Sequence, residues 1–394
     1  MNPLKMLLLT IELINCYAIV YYSNFLFFYM RSRFGFGELQ NLLLAALGGL
    51  VYVVAAWQGG AFAQRYGGMR SLVLGFVSLV LSLVAGLFLD TALAQVIVYA
   101  IWTVAVCFTW PALEALICEG PRSSLPTMVG LYNFGWAASG ATAFFTAGML
   151  LEKLGVRSLF WVPASLHLLQ LALVPVAVRL SKRSDCRPVP NPATPPVAQQ
   201  DQRRFMQMAW LANPLSYVAI NTLVPLIPSI TGRLGLTTAQ AGIVCSAWMF
   251  ARLVAFIGLW KWTGWHYRFR WLAGSYVLMI ACFAGMLLSP SIVLLVAAQI
   301  VFGLSIGLIY YSSLYYSMDA SEERGAHGGF HEALIGIGLF VGPAVGATSL
   351  AMVPSMSGAG ALSVSGLLVV GFSGLLVLRP RRKSTRTSTS VDAR

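Results

Sequence analysis

The chain has 394 residues, of which 58% are hydrophobic and only 10% are charged, and its mean hydropathy is +0.75. Soluble proteins carry about 25% charged residues, so this composition excludes a soluble globular protein. The formal net charge of +13 could suggest a nucleic-acid partner. The basic residues instead follow a topological pattern, and no nucleic-acid partner is expected.

Twelve apolar stretches follow one another along the chain. A transmembrane helix needs about 20 consecutive apolar residues, and each stretch is long enough. The sequence therefore predicts an all-α polytopic membrane protein, and the first stretch is too long to be the core of a signal peptide. Numbered as spans 1 to 12, the stretches cover residues 5–29, 38–58, 70–89, 92–118, 127–151, 157–178, 207–231, 238–259, 271–289, 291–317, 328–352 and 358–378.

The distribution of lysine and arginine predicts the topology. With the N-terminus inside, 20 of the 26 basic residues fall on the cytoplasmic side, five fall outside, and Arg252 lies within span 8. The positive-inside rule then predicts that both termini are cytoplasmic. We expect an integral protein of a bacterial-type cytoplasmic (inner) membrane.

Proline and polar residues divide the chain near its middle. They predict a flexible cytoplasmic linker, because such a composition cannot form a core. The predicted organisation is an N-terminal six-helix bundle at 1–180, the linker at 181–205, a C-terminal six-helix bundle at 206–379 and a basic cytoplasmic tail at 380–394.

The two halves resemble each other at a shift of 200 residues. Arg33-Phe-Gly35-Phe matches Arg233-Leu-Gly235-Leu, and Gln40 likewise matches Gln240. A second match, at a shift of 199, aligns Asn133 with Glu332. Parallel six-helix repeats are typical of transporters that bind their substrate near the midplane between the halves.

With these repeats, the chain resembles the major facilitator superfamily over nearly its whole length. The family carries a Gly-x-x-x-Asp-Arg-x-Gly-type loop between spans 2 and 3. Here the loop contains Gly60, Arg65, Gly67 and Arg70, but Gln64 stands where the family has aspartate. The resemblance implies two pseudo-symmetric six-helix bundles and a gating loop at these residues. It does not carry over the aspartate's charge-relay role, and no subfamily is assigned.

Span 11 begins with an ionisable pair, His331 and Glu332. His331 lies nearly on a stripe of small residues and is expected to pack at a helix contact, whereas Glu332 is rotated away from it by about 100°. A Gly-x-x-x-Gly-Pro-x-x-Gly sequence in this span resembles a pattern of family exporters, although that pattern belongs to span 5. Four residues of this sequence are expected to serve helix packing: Gly338, Gly342, Pro343 and Gly346.

Three carboxylates and one arginine lie well inside predicted spans: Glu12, Glu114, Glu332 and Arg252. A charged group inside a membrane is costly unless it is paired or hydrated, so each is a functional candidate. The carboxylates outnumber the arginine, and at least one is expected to carry a proton. Arg252 is expected to be a charge partner of one of them. Glu12 could alternatively extend to the interface, and Glu114 could be structural.

Amide and aromatic side chains are expected to surround these charges and to suit an organic solute with an apolar surface. Asn213, Tyr217 and Asn221 follow one another at helical spacing before Pro225 and Pro228, which are expected to break the helix. The candidates for the substrate cavity are Tyr21, Trp110, Asn133, Trp136, Asn213, Tyr217, Asn221, Tyr311 and Tyr315.

The sequence contains no phosphate-binding loop, metal-ligand spacing or nucleophile–base pair, so no enzyme activity, cofactor or metal is expected. The predicted function is secondary active transport of a small organic solute by alternating access, coupled to protons, with efflux favoured. A proton-linked importer or uniporter of an amine-bearing solute is the alternative, and a non-transporting receptor or assembly factor is a distant one. The expected partners are the solute, protons and the lipid bilayer, and a monomer is expected.

Overall fold

The computed structural model describes residues 2–119, 125–183, 199–320, 324–356 and 358–379. Within these ranges, the side chains of residues 125–126, 183, 199–201, 318–320 and 324–333 are not described. The basic tail at 380–394 and residues 184–198 of the predicted linker lie outside the described residues.

 The side chains of span 11 are thus described from Leu334 onward.

Helices make up nearly all of the described chain. Their bounds are α1 Pro3–Phe34, α2 Glu38–Tyr66, α3 Gly68–Phe88, α4 Ala92–Val106, α5 Trp110–Cys118, α6 Leu125–Leu154, α7 Ser158–Arg183, α8 Gln199–Arg233, α9 Thr238–Cys245, α10 Ala247–Lys261, α11 Phe269–Leu287, α12 Ile292–Ala320, α13 Arg324–Met352 and α14 Ala359–Leu378.

Together, the described helices form twelve segments that are long and apolar enough to cross a membrane, which confirms the predicted spans. Span 4 consists of α4 and α5, which are separated at Cys107–Thr109 just before Pro111. Span 8 consists of α9 and α10, which meet at Ser246. The predicted break at Pro225 and Pro228 is wrong, since α8 continues through both prolines to Arg233. A proline removes only one helical hydrogen bond, and neighbouring helices hold the segment in place.

The helices extend into both ends of the predicted linker at 181–205. Helix α7 ends at Arg183 and α8 begins at Gln199. Cytoplasmic helix ends can project beyond the apolar stretch, because their backbone hydrogen bonds are made within the helix. Hydropathy alone therefore places the ends of these two helices too close to the membrane.

The internal repeat is visible in the backbone at the ends of corresponding helices. Gly35 after α1 and Gly235 after α8 both adopt left-handed conformations, with φ of 69° and 68°. Such a conformation strongly favours glycine and ends a helix. Gln40 and Gln240 then accept hydrogen bonds from the backbone N–H groups of residues 37 and 237, at 2.9 and 3.0 Å. The matched residues thus perform the same local task in both halves.

The six spans of each half form one bundle, and the bundles meet mainly along two pairs of helices. Helix α2 packs along α13, and α6 packs along α9 and α10. Large apolar side chains cover much of the outside, and Phe88, Val293 and Val377 are 77%, 80% and 84% exposed. An apolar exterior is what a helical bundle embedded in a bilayer requires, because lipid tails surround it.

Four polar contacts join the bundles on the face that carries the α1–α2 connection, which is predicted to be extracellular and is called the outer face here. Three are hydrogen bonds: from Arg31 Nη1 to Ser229 Oγ (2.7 Å), from Asn41 Nδ2 to the Pro225 carbonyl (3.3 Å) and from the Ala239 N–H to Glu152 Oε1 (2.8 Å). The fourth is an ion pair between Arg233 Nη1 and Glu38 Oε1 (3.8 Å). The outer ends of the bundles are therefore held together in this conformation.

Candidate functional site

A cavity of about 230 Å³ lies between the two bundles. Its walls come from α1, α2, α4, α5 and α6 of the N-terminal half and from α8, α10, α12 and α13 of the C-terminal half. Spans 1, 4, 7 and 10 thus contribute to the wall together with spans 2, 5, 8 and 11. This volume lies below the range of about 300–1,000 Å³ that is typical of ligand pockets, so it suits only a small molecule in this conformation.

Two carboxylates come together at one side of this cavity. Glu12 in α1 is 1% exposed, and its Oε1 accepts a hydrogen bond from Trp110 Nε1 at 2.9 Å. Trp110 and Glu114 lie one turn apart on α5 and both line the cavity. Asn15, Tyr132 and Glu114 are also close enough to Glu12 to affect its charge. The break before α5 directs this short helix toward α1.

The second oxygen of Glu12 has no hydrogen-bond partner among the described side chains. Its polar neighbours are thus one indole donor, an amide, a phenol and another acid, and no described cation forms an ion pair with it. An ionised carboxylate in such surroundings is costly inside a membrane. Protonation removes that cost, so this arrangement is suited to binding and releasing a proton.

The single arginine within the spans lies on the opposite bundle. Arg252 in α10 is 5% exposed and lines the cavity. Its guanidinium carbon is 4.4 Å from the ring centroid of Trp136 and 5.0 Å from that of Trp248. Each such cation–π contact contributes about 0.5–2 kcal/mol, whereas burying the charge costs several kcal/mol. The two rings therefore offset only part of the cost of burial.

The predicted ion pair of Arg252 is absent from the described side chains. No described carboxylate, including Glu12 and Glu114, lies within ion-pair distance of the guanidinium group. Two indole rings occupy the positions where a carboxylate was expected. The side chain of Glu332 lies outside the described residues, as does that of His331, so their predicted roles remain predictions.

Four of the nine predicted cavity residues line the cavity, namely Trp110, Trp136, Tyr217 and Asn221. Asn213 does not, although it shares helical spacing with the last two, and its side chain is 1% exposed within the C-terminal bundle. Asn221 lies nearer the middle of the membrane, where the two bundles separate around the cavity. The four-residue spacing therefore identified the face of α8 that contains the cavity residues, but not how far along that face the cavity extends.

The other four predicted cavity residues pack within one bundle. Tyr21 shares a 3.1 Å hydrogen bond with Ser158 Oγ, and Asn133 Oδ1 accepts one from Trp136 Nε1 at 3.0 Å. Tyr311 packs against Phe256 and Trp265, and Tyr315 stacks on His266 at a centroid distance of 4.1 Å. None of these four side chains lines the cavity. Hydrogen bonds hold Tyr21 and the amide oxygen of Asn133, whose amide nitrogen has no described partner, and aromatic neighbours enclose the other two.

Several aromatic side chains of the wall were not predicted. Trp248 lies one turn before Arg252 and could have been found from that spacing. Tyr310 is 5.5 Å from Trp136 between ring centroids, and Tyr99 stacks on Trp102 at 6.0 Å on the N-terminal side. No sequence signal distinguishes these residues from interfacial aromatics, since their position depends on how the helices rotate in the bundle.

The glycines of span 11 lie at close helix contacts. A Cβ atom at Gly338 would overlap the Pro214 carbonyl of α8, and one at Gly342 would overlap the Val218 carbonyl. Gly346 faces Leu42 of α2, where a Cβ would be 3.4 Å from the nearest atom. Pro343 is buried within the continuous helix α13. Close helix packing therefore accounts for the glycine-proline pattern of span 11. The pattern gives no support for efflux over import.

The predicted gating loop is mostly helical. Helix α2 includes Gly60 and Arg65 and continues to Tyr66, while α3 begins at Gly68 and includes Arg70. Gly67 alone connects the helices, with φ of 95°, and the side chains of Arg65 and Arg70 are exposed. The corresponding residue of the second half, Tyr267, also has a positive φ of 51°.

Two six-helix bundles around a central, largely apolar cavity with a few polar groups define a membrane transport protein. The chain belongs to the Major Facilitator Superfamily, whose family model matches residues 15–343. Among curated protein sequences, none matches the chain.

Solved structures of transporters share the fold. The nucleoside transporter NupG is 14% identical with a TM-score of 0.70, and the match covers 96% of this chain and 100% of that one. The human organic anion transporter MFSD10 is 12% identical with a TM-score of 0.67, covering 95% and 100%. A peptide transporter, POT, is 14% identical with a TM-score of 0.73, covering 95% and 93%. At these identities the similarity shows the fold alone.

Proposed function

We propose that this protein is a secondary active transporter that couples movement of a small organic solute to protons. The supporting observation is the buried carboxylate of Glu12, which bonds to Trp110, has Glu114 nearby and has no described cation as a partner. Solute binding in the adjacent cavity would change the polarity around these acids. A change in polarity changes proton affinity, and this links the two binding events.

The roles follow from position. Glu114 lies on the cavity wall and would exchange protons with the water in the cavity, whereas Glu12 is enclosed behind Trp110 and would hold the proton while the bundles move. Glu332 is a third candidate for proton binding. The solutes named for the structural neighbours are nucleosides, organic anions and peptides, so the shared fold is compatible with several solute classes.

Transport assays in proteoliposomes test the coupling. The solute is first identified by comparing metabolites of cells that lack the gene with those of cells that overexpress it. We expect a pH gradient to drive accumulation by the wild-type protein. Glu12→Gln should lose this accumulation but keep exchange of labelled for unlabelled solute, because an amide still accepts the Trp110 hydrogen bond but cannot release a proton. Glu119→Gln, an exposed acid at the end of α5, is the matched control.

Two results would contradict the proposal. One is pH-driven accumulation by Glu12→Gln at the wild-type level, and the other is the absence of any transported solute in both the metabolite comparison and the liposomes. The sign of the accumulation relative to the gradient also decides between efflux and import.

We further propose that the protein lies in a bacterial-type inner membrane with both termini in the cytoplasm. The supporting observation is the excess of basic residues on one side of the spans. Cysteines introduced at positions 190 and 385 should resist labelling by an impermeant maleimide in intact cells and react after lysis. Labelling of either position in intact cells would contradict this topology.

A further inference from the structure

We infer that the transported solute is a small organic anion with an apolar or aromatic body, and that its anionic group binds at Arg252. This inference names the substrate class of the cavity and therefore rests on the proposed transport function. It starts from the charge of the cavity wall, continues with the hydrogen-bonding groups that lack partners, and ends with the aromatic surfaces around them.

Arg252 is a buried cation that faces a cavity and has no described anionic partner. Its contacts are the faces of Trp136 and Trp248, which hold the guanidinium group in place without neutralising it. A ligand anion would supply the missing negative charge. Arginine is also suited to carboxylates and similar groups, because its planar fork can donate two parallel hydrogen bonds.

The buried polar groups of the cavity wall that lack hydrogen-bond partners are all donors. Three buried nitrogen atoms among the described cavity-lining residues lack a hydrogen-bond acceptor: Arg252 Nε, Trp248 Nε1 and Trp102 Nε1. All three are N–H donors, and no acceptor of the described wall residues is in the same condition. Buried donors without acceptors are uncommon. The three atoms are covered in this conformation, so a ligand acceptor reaches them only when the side chains shift. A ligand rich in acceptors and poor in donors would then complement this wall, which favours an anion over an ammonium compound.

The carboxylates near the cavity do not shift this preference toward a cationic solute. Glu114 is the one described carboxylate that lines the cavity, and it lies beside Trp110 and Glu12 on the N-terminal bundle. An ammonium solute placed near Arg252 would meet a like charge, which disfavours binding. The acids are instead assigned to the proton, and uptake of a proton there would reduce repulsion of a bound anion.

The aromatic side chains of the wall indicate the shape and polarity of the remainder of the solute. Trp136, Tyr310 and Tyr217 form a connected group on one side, with centroid distances of 5.5 and 6.5 Å. Tyr99 and Trp102 form a stacked pair in the opposite wall, at 6.0 Å. Flat apolar groups bind well between such rings. Together with the cavity of about 230 Å³, these walls suit a compact molecule of about the size of a single ring with one anionic group.

Binding of three compounds that share one benzene ring and carry a negative, a neutral or a positive head group tests the inference on the purified full-length protein. The probes are benzenesulfonate, benzyl alcohol and benzyltrimethylammonium, whose charges are negative, zero and positive at every working pH. Isothermal titration and the ligand-induced rise in Tm are measured for each. We expect benzenesulfonate to bind most tightly, by about 10-fold or more over the neutral probe. Tighter binding of the cationic or the neutral probe would overturn the inference.

Variants of Arg252 provide the second part of the test. Arg252→Gln should weaken benzenesulfonate binding about 10- to 100-fold and leave benzyl alcohol binding unchanged. Arg252→Lys should fall between the two, because lysine keeps the charge but loses the planar fork. Trp248→Phe removes the indole N–H but keeps a ring under Arg252. It should weaken sulfonate binding by a smaller factor. Arg157→Gln, an exposed arginine on the α6–α7 connection, should bind like the wild type.

Thermal stability separates this role from a structural one. An arginine that stabilises the fold lowers Tm when it is replaced, whereas a buried charge without an anionic partner does not. Arg252→Gln should therefore have a Tm at or above that of the wild type without ligand. A large loss of Tm, failure to fold, or unchanged sulfonate affinity in Arg252→Gln would each overturn the inference. If sulfonate binds through Arg252 but no pH gradient drives its movement, the proposed coupling fails and the assigned binding site stands.

Discussion

The contact between α6 and α9 at the outer face offers a test of the idea that the bundles separate there during transport. Gly148 of the N-terminal bundle lies against the backbone of Thr238 and Ala239 of the C-terminal bundle. A Cβ atom at Gly148 would overlap the Thr238 carbonyl oxygen and would lie 3.0 Å from Ala239 Cα. The Glu152–Ala239 hydrogen bond of 2.8 Å is one turn away. The obstacle is backbone and cannot be removed by a side-chain rotation, so Gly148→Ala must push the two helices apart.

The expected magnitude follows from this overlap. Inserting a methyl group into a packed contact costs about 1–3 kcal/mol. The cost applies only while the outer ends are together, since separated bundles leave room for the methyl group. The ratio of the outer-open to the outer-closed conformation should then rise by about 5- to 150-fold.

Distances between two spin labels measure this ratio. Val156 and Val293 are 54% and 80% exposed and belong to different bundles near the outer face. Labelled cysteines at these positions, in a background without the native cysteines, should show a greater fraction of long distances in Gly148→Ala than in the wild type. Gly75→Ala is the control, because its Cβ would lie 2.5 Å from Thr109 Cγ2 within a single bundle. It should lower Tm without changing the distances. Identical distance distributions in the wild type and Gly148→Ala would refute the reasoning.

Two further predictions concern contacts within one bundle. Gly342→Ala should lower Tm in detergent, because the new Cβ overlaps the Val218 carbonyl at a cost of about 1–3 kcal/mol. Gly274→Ala is the control, since its Cβ has open space around it, and Tm should stay unchanged or rise. Equal Tm values for the two variants would contradict the packing role of Gly342. The Arg33 guanidinium beside Asp90 holds the pKa of that carboxyl below its ordinary value of 3.8. Because the pKa of Asp90 is lower in the folded than in the unfolded protein, the contact stabilises the fold above pH 3.8, and this stabilisation is lost as pH falls through the folded-state pKa. Any Tm difference between the wild type and Asp90→Asn should therefore shrink on acidification below pH 3.8. A difference that grows on acidification would contradict the prediction.

Features that depend only on neighbouring residues in the chain could be predicted from the sequence. Hydropathy predicted the spans, and the matched pairs Gly35 with Gly235 and Gln40 with Gln240 predicted two halves that end and begin their helices alike. A left-handed glycine and a capping glutamine act within a few residues of themselves. Their effects are therefore visible without knowledge of the tertiary structure.

The site depends on how the helices rotate and pack, and its prediction was correspondingly partial. Glu12 and Trp110 are 98 residues apart in the chain, and the break before α5 brings them within 2.9 Å. Asn133 and Trp136 were both expected in the cavity, but a hydrogen bond between them at 3.0 Å satisfies the amide oxygen inside the bundle. Periodicity identifies a helix face and not the neighbour that covers it, so buried polar residues and cavity residues look alike in the sequence.

The contact that holds Arg252 is also suited to a protein whose bundles must move. Arg252 belongs to the C-terminal bundle and Trp136 to the N-terminal one, and their separation of 4.4 Å makes this a contact between the bundles. A buried ion pair at the same place would be costly to break, by about 3–5 kcal/mol when one partner is removed. A cation–π contact contributes about 0.5–2 kcal/mol and depends less on exact geometry. The same arginine can thus be held in position beside the cavity, remain available to an anion, and still let the bundles separate at a cost that ligand binding can offset.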